Sequence, residues 1–413
     1  MDRRKFLSSG MLVSAGAALR VAGDEANAWP SENPAGCPFT PSAQLGGIRF
    51  TGRHREYTNA DTWFPTWAPD GNLYSPWTDG YVVDGAQGYQ PFDQALPGYP
   101  CNSLDYRGRK AATAQARIEG DDPLALRIVN LKPRVEASPQ PYGGRYPCGS
   151  LTHRGIWYYG AYCLTNDGRC GDVGWTEMGP LVGFRISRDY GRSWEETTHT
   201  PLRPLFGEDP KLAPVKIGSP HFVDFGRDMD HSPDGRAYLV AHGGRRTRDC
   251  NNWIQGDAIY LLRVMLSPAS INDAKAWEFF AGHDREGHPV WSGDFDKIEP
   301  LAQWKGHLGC ATMTYHPGLG RYLICVTRGV RQGHFDTMIL ESAAMTGPWR
   351  LVHYLRNFGP EAYFVNVPSK FISATGRSFW LCYSANWSNK ASDGTPFGSR
   401  YALCLHEAEL VER

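Results

Sequence analysis

Short apolar runs separated by glycine-centred turns recur along the chain. The clearest example extends from Gly218 to Gly244, where an apolar run, an Asp234-Gly235 turn and a second apolar run follow one another. This pattern is typical of a β-hairpin, because tight turns between antiparallel strands favour Asp-Gly. Looser copies of the hairpin surround four other glycines, which are Gly71, Gly155, Gly320 and Gly376. Five copies of one hairpin indicate a repeat architecture.

Further β-rich runs follow each hairpin, so the chain divides into five units of four strands. The units span residues 61–131, 146–200, 216–282, 307–354 and 361–413. Units of this size predict an all-β fold, a five-bladed β-propeller with four antiparallel strands per blade. The strand at 46–51 has no hairpin partner nearby, and we expect it to close the last blade, which would otherwise have an unpaired edge. An α/β fold with little regular structure is the weaker alternative.

The first 28 residues have the pattern of an export signal. A twin-arginine pair precedes a modest apolar stretch, and the sequence A-N-A supplies a cleavage motif that ends at Ala28. Ten or so apolar residues are too few to cross a bilayer of about 30 Å as a helix. We therefore expect export by the twin-arginine route to the periplasm or the cell exterior. The expected organisation is a signal peptide at 1–28, an exposed linker at 29–45 and a single propeller domain at 46–413.

The charge balance excludes some partners. The chain has 43 basic and 43 acidic residues, whereas proteins that bind nucleic acid or anionic membranes usually have a basic excess. Its 14 Trp and 20 Tyr residues suit short strands and also stacking on sugar rings. We expect a carbohydrate partner, no nucleic acid, no membrane span and a monomer.

The chain contains 10 cysteines, and export would permit disulfides. Their positions allow three pairings, which are Cys163 with Cys170, Cys148 with Cys163, and Cys310 with Cys325. Buried free thiols are the alternative. Since the chain has no C-x-x-C pair, a structural zinc site is not expected.

Two stretches carry a resemblance to known families. The octapeptide from Ser187 to Trp194, SRDYGRSW, matches the Asp-box S-x-D-x-G-x-[ST]-W of sialidase-like propellers, which marks a fold rather than a catalytic site. The stretch from Trp277 to Leu355 resembles the DUF4185 group, which is similar to five-bladed glycosidases and includes endo-acting arabinan hydrolases. The last unit resembles a family-43-type blade. The resemblance implies a carbohydrate-active enzyme.

The chain departs from the family-43 pattern at an important point. That pattern has Asp-Pro and Glu-Pro dipeptides at the start of three inner strands. This chain has Phe64-Pro65, Ser219-Pro220 and Val367-Pro368 there, so the three carboxylates of the family cannot be carried over. The departure leaves room for other chemistry, such as β-elimination on a rhamnosyl-glucuronate or another uronate-containing glycan.

Strand order predicts where a site would lie. In an up-and-down blade, the tight glycine turns share one face of the ring, and the long loops share the opposite face, where we expect the site. The candidate catalytic residues on that face are Asp61, Glu361, His242 and His221. The candidate substrate-binding residues are Arg53, His54, Asp79, Tyr146, Arg245, Arg246, Trp253, His307, Arg328, His334 and Asn366.

These residues allow two mechanisms. Hydrolysis needs two carboxyl groups about 5–10 Å apart, for which Asp61 and Glu361 are the best pair. β-Elimination needs a base, His242 or His221, and a cation such as an arginine of the 245–246 pair to neutralise a uronate carboxylate. A glycan-binding propeller without catalysis is the third possibility. No cofactor is required, and Ca²⁺ at the propeller axis is left open, although no loop motif supports it.

Overall fold

The structure is a computed structural model, and it describes residues 29, 32–58, 60–82, 99–101, 110–131, 134–137, 142–165, 177–244, 252–359, 361–386 and 399–413. Within these residues the fold is all-β, with five sheets that form the blades of a propeller. The helical segments described are short 3₁₀ turns at Arg227–Met229, Ala274–Ala276, Phe295–Lys297 and Ser369–Phe371. None of them has the length and apolar character that a membrane crossing requires. The predicted fold class is confirmed.

The strands fall into blades in chain order. Strand β1 is Leu45–Glu56. Blade 1 contains β2 (Thr66–Trp67), β3 (Leu73–Trp77), β6 (Lys110–Glu119) and β7 (Arg127–Asn130), with β8 (Arg134–Ala137) also paired to β6 and a separate ribbon of β4 (Gly80–Val82) and β5 (Tyr99–Cys101). Blade 2 contains β9 (Tyr142–His153), β10 (Ile156–Thr165) and β11 (Glu177–Ser187), followed by a single bridge between Ile186 and Glu195.

The remaining blades follow the same order. Blade 3 contains β12 (Gly218–Phe222), β13 (Ala237–Gly243), β14 (Ala258–Val264), β15 (Trp277–His283) and β16 (Pro289–Ser292), with β17 (Ala302–Gln303) paired to β14. Blade 4 contains β18 (Ala311–His316), β19 (Arg321–Arg331), β20 (His334–Ser342) and β21 (Arg350–Leu355). Blade 5 contains β22 (Tyr363–Asn366), β23 (Ser378–Ser384) and β24 (Cys404–Glu412), completed by β1.

Strand β1 closes the ring. It pairs antiparallel with β24, with Ile48 opposite Leu410 and Phe50 opposite Ala408. Ile48 and Phe50 are buried, whereas Arg49 between them is exposed. This alternation fixes the register, because a shift by one residue would move the apolar side chains to the solvent face. The predicted closure of the last blade is confirmed.

The five glycine turns behave as the sequence predicts. Gly71, Gly155, Gly235, Gly320 and Gly376 have φ values of 89°, 78°, 72°, 60° and 69°. All five lie between the first and second strands of a blade, where a left-handed residue is needed and glycine adopts it without steric cost. The turns therefore share the face opposite the long loops.

The turn after β11 has the internal contacts expected from its sequence. The Asp189 carboxylate accepts hydrogen bonds from the Ser193 amide, at 2.8 Å, and from the Ser193 hydroxyl, at 2.6 Å. Gly191 has a φ of 88°, and the Trp194 ring packs 5.2 Å from that of Trp157. Trp194 thereby fixes the turn to the blade, while the relation to other Asp-box proteins stays a prediction.

The segment before β1 is exposed at most of its described residues, and a few of its side chains contact the propeller. The Trp29 ring packs 5.4 Å from Phe358, and its indole N–H donates to the Arg356 carbonyl. Further along, the Ser42 hydroxyl donates to the Glu341 carboxylate at 2.8 Å and is fully buried. The segment therefore lies along blade 4 and joins it to blade 5.

The cysteines correct the disulfide predictions. Cys148, Cys163, Cys310 and Cys325 are buried free thiols, so none of the three predicted bridges is present, and Cys170 lies outside the described residues. Burial raises the pKa of the Cys310 thiol well above its usual value, which keeps it neutral. The alternative of small buried side chains is the correct one for these four residues.

Candidate active site

The inner strands of the five blades surround a channel along the propeller axis. It encloses about 450 Å³, and each blade contributes to its wall. The lining residues are Phe64, Pro65, Thr66, Ser150, Leu151, His221, Phe222, Val223, Asp224, Thr312, Met313, Thr314, Asn366 and Val367. His221 and Asn366 are therefore placed at the axis, as the sequence predicts.

Asp61 lies on the long-loop side of this channel, just before the inner strand of blade 1. Its backbone pairs with that of Thr78, and its side chain is almost completely buried. The Thr62 hydroxyl donates to one carboxyl oxygen at 2.8 Å, and the Tyr363 hydroxyl donates to the other at 2.9 Å. Tyr401 also hydrogen-bonds to the carboxyl group. Hydroxyl groups from blades 1 and 5 thus hold the carboxyl group in a single orientation.

The environment of Asp61 favours its neutral form. Burial, reinforced by the nearby Asp79 carboxylate, raises the pKa of Asp61 to about 8, although the hydrogen bonds from the hydroxyl groups act in the opposite direction. The carboxyl group is therefore protonated at neutral pH. A neutral carboxylic acid can donate a proton to a leaving group, which is the function of a general acid.

Asp79 is the second carboxylate at this position. It follows Thr78, whose backbone pairs with that of Asp61, and its side chain is partly exposed. Asp79 and Thr62 adopt left-handed backbone conformations, with φ values of 53° and 65°. Such conformations cost of order 1–3 kcal/mol in non-glycine residues and cluster at functional sites. The strained backbone therefore brings two carboxyl groups to the same end of blade 1.

Glu361 contacts the neighbouring blade 4. Its side chain is fully buried, and its carboxylate accepts a hydrogen bond from the Gly333 amide in the turn between β19 and β20. Glu361 therefore fixes a turn of blade 4. Since the Gly333 amide occupies this carboxylate, the structure gives no support to the predicted pairing of Asp61 with Glu361.

The two candidate histidines are both buried and neutral. Burial lowers the pKa of His242 to about 4, and burial with the nearby His242 charge lowers that of His221 well below its usual value. His242 is fully buried, with Nε2 2.8 Å from the Asn252 carbonyl, whereas His221 lines the channel and packs 3.7 Å from the Phe64 ring. His242 therefore holds a loop and does not face a substrate, which corrects its assignment as a base.

Three further predicted residues surround this end of the channel. The Trp253 ring lies 5.1 Å from Tyr363, the partner of Asp61, and the Tyr146 ring packs against Tyr162. The Asn366 amide donates to the Trp63 and Phe364 carbonyls, at 3.0 and 2.8 Å. Trp253 and Tyr146 are both buried, so they pack in the interior against Tyr363 and Tyr162.

Arg53 and His54 are displaced from the axis. Both lie on β1, the outermost strand of blade 5, three strand spacings or about 14 Å from the inner strand. Arg53 pairs with Glu407 at 2.8 Å, and the His54 ring stacks on His406 at 5.1 Å. The prediction that they reach the central site is wrong, because closure of the ring places β1 at its rim.

The other candidates divide into two sets. His307, Arg328 and His334 gather at the long-loop end of blade 4, where Arg328 and His334 contact Asp336. The charge of Arg328 also helps burial to lower the pKa of His307. Arg245 and Arg246 lie outside the described residues.

The channel does not fit a Ca²⁺ ion. Calcium sites combine several carboxylate and carbonyl oxygens, whereas Asp224 is the single carboxylate among the described residues of the channel wall. Its oxygens already accept hydrogen bonds from the Ser369 amide and hydroxyl and from the Gly226 amide, at 2.7–2.9 Å. In the described part of the chain, the group with metal-ligand spacing is an exposed one in blade 3, formed by Asp284, Glu286 and His288.

Sequence reasoning missed the hydroxyl groups that hold Asp61. Tyr363 begins the inner strand of blade 5, two positions after Glu361. Glu361 was selected because it precedes an inner strand on the long-loop face, and the same criterion could have selected Tyr363. Thr62 follows Asp61 in the sequence, and its position next to this candidate acid was the only sequence feature that pointed to it. Tyr401 lies just before the third strand of blade 5, and no motif in the sequence marks it.

Comparisons with known proteins show no family for this chain. No family model and no curated protein matches the sequence, so the resemblance to the DUF4185 group is not confirmed. Among solved structures, a "putative hydrolase" from Bacteroides ovatus ATCC 8483 is 12% identical, with a TM-score of 0.49, covering 92% of this chain and 96% of that one.

Two glycosidases are similar at the same level. The GH43_1 enzyme from Xanthomonas citri complexed with xylotriose is 14% identical, with a TM-score of 0.44, covering 86% of this chain and 87% of that one. The α-L-arabinofuranosidase PaAbf62A from Podospora anserina is 9% identical, with a TM-score of 0.42, covering 90% and 96%. At these identities and TM-scores, the similarity carries no argument about activity.

Proposed function

We propose that this protein is a glycoside hydrolase whose active site is the long-loop end of the axial channel. The observation that carries the proposal is Asp61, a buried carboxyl group that is protonated at neutral pH next to a second carboxyl group, Asp79. Glycosidases use such a pair, one member as an acid and the other as a base or nucleophile.

The reaction would use the two carboxyl groups in different roles. Asp61 donates its proton to the glycosidic oxygen as the bond to the anomeric carbon breaks. Asp79 either removes a proton from the attacking water or attacks the anomeric carbon itself, and water then releases the sugar. Tyr363 and Thr62 hold the Asp61 carboxyl group, so its proton has a fixed direction.

β-Elimination receives less support from the described residues. It would require His242 or His221 as a base, and His242 is fully buried with Nε2 bound to a backbone carbonyl. The arginines that would neutralise a uronate, Arg245 and Arg246, lie outside the described residues. A glycan-binding role without catalysis would leave the protonated state of Asp61 without a function.

The test is a screen of purified protein against plant and microbial polysaccharides. Hydrolysis predicts new reducing ends without new absorbance near 235 nm, which an unsaturated uronate product would give. Asp79→Asn should lower kcat by about 10²-fold or more, the range for loss of acid-base catalysis. Asp296→Asn, an exposed carboxylate of blade 3, is the matched control and should keep full activity.

Each result decides one point. Absorbance at 235 nm would replace hydrolysis by elimination, and glycan binding without cleavage would refute an enzymatic role. Full activity of the Asp79→Asn protein would remove Asp79 from the mechanism while leaving hydrolysis itself in place. Because polysaccharides lie outside the cytoplasm, we also propose export by the twin-arginine route. Cell fractionation with N-terminal sequencing would test this, and cytoplasmic protein that retains residues 1–28 would contradict it.

A further inference from the structure

A second cavity lies on the long-loop face of blade 4, which we call the blade 4 pocket. Its empty space, including the part open to solvent, is about 620 Å³, and it is lined by Glu32, Asn33, Pro34, Arg328, Val330, His334, Asp336, Tyr354 and Arg356. These residues come from the ends of β19 and β21, the start of β20 and the segment that precedes β1. Strand β20 is two spacings from the inner strand β18, so the pocket lies about 10 Å outward from the channel wall.

A buried carboxylate organises the wall of this pocket. Asp336 accepts hydrogen bonds from the Tyr354 hydroxyl at 2.5 Å and from the Asn357 amide at 2.8 Å. His334 Nε2 lies 3.2 Å from the same carboxylate. Arg328 lies 3.7 Å from it and donates to the Tyr354 hydroxyl at 3.1 Å. The polar side chains are thus held in place before any ligand arrives, which lowers the cost of binding.

The pocket also contains an ion pair that a ligand can replace. Arg356 lies 3.2 Å from Glu32, and their side chains are 52% and 88% exposed. Exposed pairs of this kind contribute little to stability, because water and salt screen them. The Glu32 carboxylate therefore occupies the position on Arg356 that a carboxylate of a ligand would take. Arg328 is more buried than Arg356, with 22% of its side chain exposed.

We propose that the blade 4 pocket is a subsite for a carboxylate-bearing sugar, a uronic acid residue of an extended glycan. Arginine guanidinium groups bind carboxylates with paired, charge-assisted hydrogen bonds, and Arg328 and Arg356 flank the cavity. His334, with 26% of its side chain exposed, supplies an imidazole that can bind a sugar hydroxyl. Because the pocket and Asp61 both lie on the long-loop side of the ring, a single glycan chain can reach both. The inference rests on the proposed function for its glycan ligand.

The test uses trigalacturonic acid as the acidic probe and cellotriose as the neutral one. Binding is measured by titration calorimetry on the full-length chain with Asp61→Asn, so that cleavage does not interfere. The parent protein should bind trigalacturonic acid at least 10-fold more tightly than cellotriose. Arg356→Met should weaken acidic binding at least fivefold, whereas Glu32→Gln should strengthen it, because the competing carboxylate is removed. Both residues are exposed, so neither change should impair folding.

Glu286→Gln, an exposed glutamate on the β15–β16 hairpin, is the matched control for Glu32→Gln and should leave binding unchanged. Equal binding of the acidic probe by the parent, Arg356→Met and Glu32→Gln proteins would overturn the proposal. Absence of acidic binding in the parent would also overturn it. Polysaccharide cleavage without such binding would refute only the subsite, whereas binding without any cleavage by the Asp61-containing protein would refute only the proposed function.

Discussion

Replacement of Asp61 by Asn tests the central element of the site. Asparagine keeps the size of the side chain, accepts the Thr62 hydrogen bond and has an amide in place of the carboxylic O–H. Since it cannot ionise, it removes both the acid catalyst and the unfavourable buried charge that wild-type protein must accept at high pH. The substitution therefore has opposite effects on activity and on alkaline stability.

The magnitude follows from the pKa of Asp61. Its ordinary value is 3.8 and its value in the fold is about 8. Because the folded value is the higher one, stability from this group is complete below about pH 4 and is lost as pH rises through 8. At about 1.4 kcal/mol per pH unit, the full loss is about 6 kcal/mol, an upper limit since relaxation and water entry reduce it. The Asn variant should not show this loss.

The assays are thermal unfolding between pH 4 and pH 9 and kcat on the best polysaccharide. Above pH 8 the Asn variant should unfold at a higher temperature than wild type, while the two should converge near pH 4. The kcat should fall by about 10²–10⁴-fold, the usual contribution of a general acid. Wild-type activity should itself decline as pH rises through about 8. Parallel stability curves for the two proteins, or an active Asn variant, would refute the assignment.

Three further predictions concern neighbouring and structural groups. Tyr363→Phe removes a hydrogen bond that lowers the pKa of Asp61, so the alkaline decline of activity should move to higher pH, with about 1 kcal/mol lost in stability; an unmoved pH profile would contradict it. Gly191→Ala places a methyl group 3.0 Å from the Trp157 ring in a left-handed turn, whereas at Gly235 nothing lies within 4 Å. Denaturant unfolding should show a loss of about 1–2 kcal/mol for Gly235→Ala and a larger one for Gly191→Ala, and equal losses would count against the packing argument. Burial lowers the pKa of His242 to about 4, so its contribution of about 3 kcal/mol is present above pH 6.5 and lost as pH falls to 4; His242→Asn should flatten the unfolding curve in that window.

The architecture was predictable because its signals are local. A tight turn between two strands favours glycine, because glycine adopts a left-handed conformation without steric cost. Gly71 and Gly376 with the apolar runs on either side therefore predict their hairpins within about ten residues of sequence. The pairing of β1 with blade 5 was predictable because β1 has no hairpin partner nearby and the last blade would otherwise have an edge without hydrogen-bond partners. The disulfides were not predictable, because the spacing of Cys310, just before β18, and Cys325, on β19, is compatible with a bridge and with two buried thiols.

The site was less predictable because it depends on the direction and burial of each side chain, and strand order determines neither. Strand order placed Asp61 just before the inner strand of blade 1 and His221 on the inner strand of blade 3, where the structure has them. It did not distinguish a buried glutamate that holds a backbone amide, Glu361, from one that faces a substrate. It also placed His334 at the axis, whereas the third strand of a blade lies about 10 Å farther out.

The pairing of β1 with β24 has a consequence for the order of folding events. Arg49 and Glu409, which join the two strands, are 360 positions apart in the chain. Strand β1 is synthesised first and β24 last, so β1 cannot form its hydrogen bonds until synthesis of the ring is complete. Contacts between such distant segments form slowly, and until they form, β24 offers an unpaired edge to other chains. A nascent chain that stops before residue 404 would lack β24. The edges of β1 and β23 would then be unpaired and could form hydrogen bonds with other chains.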